Sequence, residues 1–101
     1  MDESKFIRYV GDYRIHDSKI TLVRWDGNHL DVQLNSPDGE TIFTSFKNVK
    51  SIKSNKPIGM MIYALSEMED TVPYRKFIFA NWDEDDDSIL EIVAMDFQQK
   101  S

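Results

Sequence analysis

The sequence predicts an all-β fold, a single-domain antiparallel sandwich or barrel-like roll of about seven strands. Three observations carry that prediction. Apolar and polar residues alternate at the period of a strand, most clearly Leu30, Val32 and Leu34 against His29, Asp31, Gln33 and Asn35. Turn signals built on Gly, Pro and Asn recur about every ten residues. The runs between them are too short to hold the crossover helices of a parallel α/β sheet. A chain of 101 residues is one domain, spanning 1–101.

The elements follow in order. Phe6, Tyr9 and Val10 stand at helical spacing, with Asp2 to Ser4 suited to a cap and Gly11 to a stop, so the chain opens on one short helix or, equally, on a first strand. Lys19 to Trp25 is rich in β-branched and aromatic residues and leads through Asp26-Gly27 into His29 to Asn35, a hairpin. Ser36-Pro37-Asp38-Gly39 turns the chain again into Glu40 to Phe46, completing a three-stranded meander. Phe46, Val49 and Ile52 then recur every three residues, as do Lys47, Lys50, Lys53 and Lys56. A short helix fits that spacing, but Val, Ile and Ser dominate, which favours a turn at Lys47-Asn48 and a strand from Val49 to about Ser54. After a loop at Asn55-Lys56-Pro57 and Gly59, Met60 to Leu65 reads as a strand ended by the polar run Ser66 to Thr71 and by Pro73. Tyr74 to Trp82 is the next strand. Ser88 to Phe97 fits both periods, since Leu90, Ile92 and Ala94 alternate while Ile89, Ile92, Val93 and Phe97 suit a helix face; it is read as a strand.

Composition narrows the function classes. With 41% apolar and 12% aromatic residues the chain can build a packed interior, and with no Cys it has neither a disulfide framework nor a thiolate zinc site. Lys+Arg 12 against Asp+Glu 18 gives a formal charge of −6, which argues against nucleic acid or an anionic membrane as partner and for a basic protein. Met1 to Val10 lacks the apolar stretch of a signal peptide, and no window approaches the roughly 20 apolar residues of a spanning helix, so a cytoplasmic location is expected. Charge is unevenly distributed. Thr41 to Ser66 contains four lysines and no acid, whereas Glu67 to Asp96 contains ten acids against Arg75 and Lys76, a pattern that predicts a charge-separated surface.

The sharpest local feature is Asp83-Glu84-Asp85-Asp86-Asp87, between Trp82 and the apolar run from Ile89. These five residues are the candidate partner-binding site, an acidic tip that steers a basic protein; the alternative is a solvated hairpin end. Asp83, Asp85 and Asp87 have the alternate spacing of a calcium loop, but Ser88 and Ala94 occupy the positions where an EF-hand has Gly and Glu, so no metal site is assigned. His16-Asp17-Ser18 spells a hydrolytic triad, yet neighbours in an extended chain point to opposite faces; the segment reads as a polar turn in which Asp17 and Ser18 satisfy backbone groups and His16 bonds to a neighbouring strand. His29 is the only other imidazole, and single glycines at turns form no phosphate cradle, so no cofactor and no catalytic residue is assigned. Phe43, Phe46, Tyr63, Tyr74, Phe77, Phe79 and Trp82 fall mostly at strand spacing, which favours the core over a base-stacking platform. Met60-Met61 is either an adaptable contact surface or, preferably, core filling.

The segments Ile15-His16-Asp17-Ser18-Lys19-Ile20 and Phe46-Lys47-Asn48-Val49-Lys50-Ser51-Ile52, together with Trp82, the acidic run and Leu90-Glu91-Ile92, carry a resemblance. Over Ile15 to Phe97 the chain resembles small uncharacterised bacterial all-β proteins with a His-Asp-Ser segment, some of which are regarded as immunity proteins that neutralise toxins exchanged between competing bacteria. The resemblance implies a binding role, no catalytic residue, and an acidic cluster suited to occluding a basic toxin site. The expected function is therefore a non-enzymatic, cytoplasmic protein-interaction domain. Two alternatives stand beside it: a small-molecule or cation-binding β-roll closed by the acidic loop, and a hydrolase built from dispersed acids and His16.

Overall fold

A computed structural model describes residues 5–83 and 85–100. Over them the chain forms β1 (Phe6–Tyr9), a 3-10 turn (Tyr13–Ile15), β2 (Lys19–Trp25), β3 (Leu30–Asn35), β4 (Thr41–Lys47), β5 (Ser51–Asn55), β6 (Ile62–Met68), β7 (Arg75–Asn81), β8 (Ile89–Ala94) and β9 (Asp96–Lys100). All pairings are antiparallel and make two sheets, one of order β1-β6-β7-β8-β5 and one of order β2-β3-β4-β9. The inner faces enclose one core, so the fold is an all-β sandwich.

The meander forms as its alternation dictates. Leu30, Val32 and Leu34 are buried while Asp31 and Asn35 face solvent. The Asp26 carboxylate accepts the backbone N–H groups of Asn28 (3.0 Å) and His29 (2.7 Å), closing the β2–β3 turn around Gly27 at φ +101°. At the β3–β4 turn the Ser36 hydroxyl accepts the Glu40 N–H at 3.1 Å. At the centre of the sandwich Phe46 of β4 meets Phe77 (5.1 Å between ring centroids) and Phe79 (5.9 Å) of β7, with Phe97 of β9 alongside at 5.3 Å.

The structure decides one open alternative and departs from expectation at two further places. The N-terminal segment is an edge strand and not a helix, because its backbone pairs with β6 (Phe6 with Met68, Tyr9 with Ser66) and Val10 donates to the Leu65 carbonyl at 2.9 Å. The run expected as one strand from Ser88 to Phe97 is two, β8 in the five-stranded sheet and β9 in the other, with Met95 at the crossing and its N–H on the Lys47 carbonyl. These two changes raise about seven strands to nine. Finally, β6 runs past Ser66 to Met68, because Glu67 is carried into the interior opposite Phe77 and its charge is met there. Arg75 holds the Glu67 carboxylate with two bonds of 2.9 Å, and Arg8 approaches to 3.5 Å.

Candidate interaction surface

The acidic run lies in the turn between β7 and β8, at one end of the sandwich. Asp83, Asp85, Asp86 and Asp87 are exposed; Glu84 lies outside the described residues. Part of this carboxylate set organises the turn itself. Asp83 Oδ1 accepts the Asp85 N–H at 2.9 Å, and the Asp86 N–H donates to the Asp83 carbonyl at 3.1 Å. Asp86 accepts from Asn81 Nδ2 (3.2 Å) and from the Ser88 N–H (3.2 Å) and hydroxyl (3.1 Å), and these bonds hold its carboxyl below the ordinary aspartate range. Asp87 pairs with Lys56 at 3.1 Å, and Asn55 Nδ2 donates to the Asp87 carbonyl. Lys53 faces Glu91 in the β5–β8 register. The lysine-rich and acid-rich stretches, far apart in sequence character, therefore meet at neighbouring strands, so charge separation is weaker in space than along the chain. Among the described residues of the turn, Lys56 pairs with Asp87, and the exposed carboxylates of Asp83, Asp85 and Asp86 carry the outward charge.

Immediately before the turn stands Trp82, 48% exposed, and it leads into a second feature that the aromatic pattern did not predict. Phe46, Phe77 and Phe79 are core, as their spacing indicates, but Phe43, Tyr63 and Trp82 are 40–48% exposed. Tyr63 lies between Ile62 and Ala64, where the β6–β7 register shifts, and faces outward opposite in parity to buried Ile62. It meets Trp82 edge-on at 5.2 Å, His16 at 5.0 Å and Tyr9 at 6.4 Å; Tyr9 in turn meets Phe6 at 4.9 Å. Residues from four separate segments thus form one exposed aromatic band. A hydrogen bond with Tyr63 raises the Tyr9 phenol above its usual pKa. Exposed Met61 stands two residues before the band's Tyr63, whereas Met60 fills the core.

His16-Asp17-Ser18 anchors this band to the fold. Asp17 takes a left-handed conformation (φ 68°), its N–H donates to the Ile62 carbonyl, and its carboxylate accepts the Trp82 indole N–H at 2.5 Å. Ser18 is fully buried and its hydroxyl donates to the Ile15 carbonyl at 2.6 Å. His16 packs edge-on against Tyr63 and Trp82, where a bond to a neighbouring strand was expected. The segment is a strut between the β1–β2 connection and the acidic turn. Beside it a cavity of about 300 Å³ opens among Tyr9, Asp12, Tyr13, His16, Tyr63 and Leu65. Among the described residues no three His, Asp or Glu side chains converge as a metal shell.

No family model, curated protein or solved structure matches this chain.

Proposed function

We propose that this chain is a non-enzymatic protein-interaction domain, of the type that immunity proteins represent, which binds a basic protein through the aromatic band and the acidic turn beside it. The observation that carries the reading is the junction at Trp82, where an exposed aromatic surface runs directly into Asp83 and Asp85. Protein interfaces concentrate Tyr and Trp at a desolvated centre and charge at the rim, and this surface has both in that arrangement. The carboxylates steer the approach of the partner, and the rings supply the buried area. The formal charge of −6 and the resemblance to immunity proteins support the same choice of partner.

The test is affinity capture from the native host's lysate, with the wild type and with a variant carrying Asn at Asp83, Asp85, Asp86 and Asp87 and Gln at Glu84. Each amide keeps one acceptor oxygen while removing the charge; Asp86, which accepts on both of its oxygens, gives up one side of its bonding, and circular dichroism checks the fold. The expected result is a stoichiometric basic protein, released as salt is raised and lost from the folded variant. Equal capture by both forms, or no basic protein at all, contradicts the proposal.

A further inference from the structure

The cavity beside the aromatic band has the chemistry of a seat for one side chain. Tyr9, Tyr13, His16 and Tyr63 are among its lining residues, Ile15 and Leu65 supply apolar wall, and among the described residues neither Lys nor Arg lines it. Among the described residues its one charged lining residue is Asp12. Asp12 is held by Arg14 (2.6 Å between Nη2 and Oδ2), and Arg14 is shared with Glu40 at 2.9 Å. Two carboxylates against one guanidinium give this cluster, which reaches the cavity through Asp12, a formal charge of −1. Asp12 Oδ1 also accepts the Arg14 backbone N–H at 2.9 Å, so a guest cation meets the field of this cluster and not a vacant carboxylate fork. Ring faces carry negative potential and attract cations within about 6 Å of their centroids. The volume, about 300 Å³, exceeds that of a single long side chain.

Resting on the reading above, we propose that this cavity receives one arginine side chain of the basic partner, its guanidinium against the tyrosine rings and its stem against Ile15 and Leu65. Arginine fits better than lysine because a guanidinium is planar, stacks on aromatic faces, and is more weakly hydrated than an ammonium, so it enters a cavity without a fully available carboxylate at lower desolvation cost. Neighbouring Asp17 and Asp83 extend the favourable field toward Trp82.

The inference is tested without the partner by titrating the whole chain with N-acetyl-arginine amide, its neutral isostere N-acetyl-citrulline amide, and N-acetyl-lysine amide, following aromatic side-chain resonances by NMR. The arginine probe is expected to shift Tyr9, Tyr13, His16 and Tyr63 saturably, with affinity about five- to tenfold above that of the citrulline probe and above that of the lysine probe. Tyr63→Phe keeps a ring face and retains the response, whereas Tyr63→Leu keeps apolar bulk and loses it. No saturable shift, or an equal response to citrulline, overturns the cation site; an equal or stronger response to lysine overturns the assignment to arginine. Failure here with successful capture above removes this cavity from the interface and leaves the interaction reading standing. Saturable arginine binding with no captured basic protein does the reverse.

Discussion

Glu67 shows how a single charged residue is made compatible with a strand interior. Its side chain is 4% exposed, and the guanidinium of Arg75 holds its carboxyl below the ordinary glutamate range despite the cost of burial. Replacing Arg75 by Met leaves that carboxylate without its main partner and is expected to destabilise the domain by about 3 kcal/mol in urea denaturation, the lower end for a broken buried pair because Arg75 is itself one-third exposed. The pH dependence has a definite sign. A carboxyl whose folded pKa is depressed contributes stability that is fully present above its unfolded value, about 4.3, and is lost as pH falls through the folded value. The Glu67→Gln variant should therefore lose less stability than the wild type between pH 5 and 3. Gly11 gives a second residue-scale contrast. It sits at φ +82°, and a Cβ there would lie 2.1 Å from Ile15 Cδ1, whereas Gly27 at φ +101° opens onto free space. Gly11→Ala combines strain with overpacking and should cost about 2–4 kcal/mol; Gly27→Ala carries strain alone, about 1–2 kcal/mol. Asp17→Ala removes the Trp82 bond and the tolerance of positive φ, for about 1–2 kcal/mol, while Asp17→Asn keeps both and stays near the wild type.

Among the elements, β3 and β4 were legible because alternation, turn residues and burial all agree, and β2 because of its β-branched and aromatic content, although only Ile20 of it is buried. The ambiguous stretches are those where the chain changes sheets. Leu90, Ile92 and Ala94 face the core from β8, the crossing at Met95 resets the parity, and Phe97 then faces inward from β9. The sum of two strand periods offset by one residue imitates a helical one. Phe46, Val49 and Ile52 have the same origin, since Asn48 at φ 55° turns the chain between β4 and β5 and each of the three packs on the core from a different backbone segment. Phe6, Tyr9 and Val10 imitate a helix around the pairing irregularity between Phe6 and Arg8. The site was half legible. Five consecutive acids announce themselves, but the aromatic band draws on positions 6–9, 16, 63 and 82, which only the topology brings together; the one local sign was the outward alternation of Met61 and Tyr63 against Met60 and Ile62. β1 has four exposed residues and pairs on one side only, whereas β6 and β7 are interior to their sheet. Native-state hydrogen exchange should accordingly find the slowest amides in β6 and β7 and much faster exchange in β1.

At the scale of the molecule, the sandwich presents two surfaces of different character. One is the aromatic band with its cavity and the acidic turn. The other is the outer face of the four-stranded sheet, where a groove of about 250 Å³ runs among Leu22, Arg24, Asp31, Gln33, Phe43 and Lys100. That groove mixes both signs of charge, and the Ser45 hydroxyl and Asp31 carboxylate are bonded to each other at 2.8 Å, so it offers a basic partner no concentrated field. The proposed interface therefore lies on the first surface. Its most direct test is a hydrogen-exchange footprint of the chain bound to the basic protein it captures, compared with the free chain. Added protection over 9–17, 61–65 and 81–88, with the outer strands of the four-stranded sheet unchanged, is the predicted result. Protection centred instead on Leu22, Gln33 and Phe43 would contradict the account.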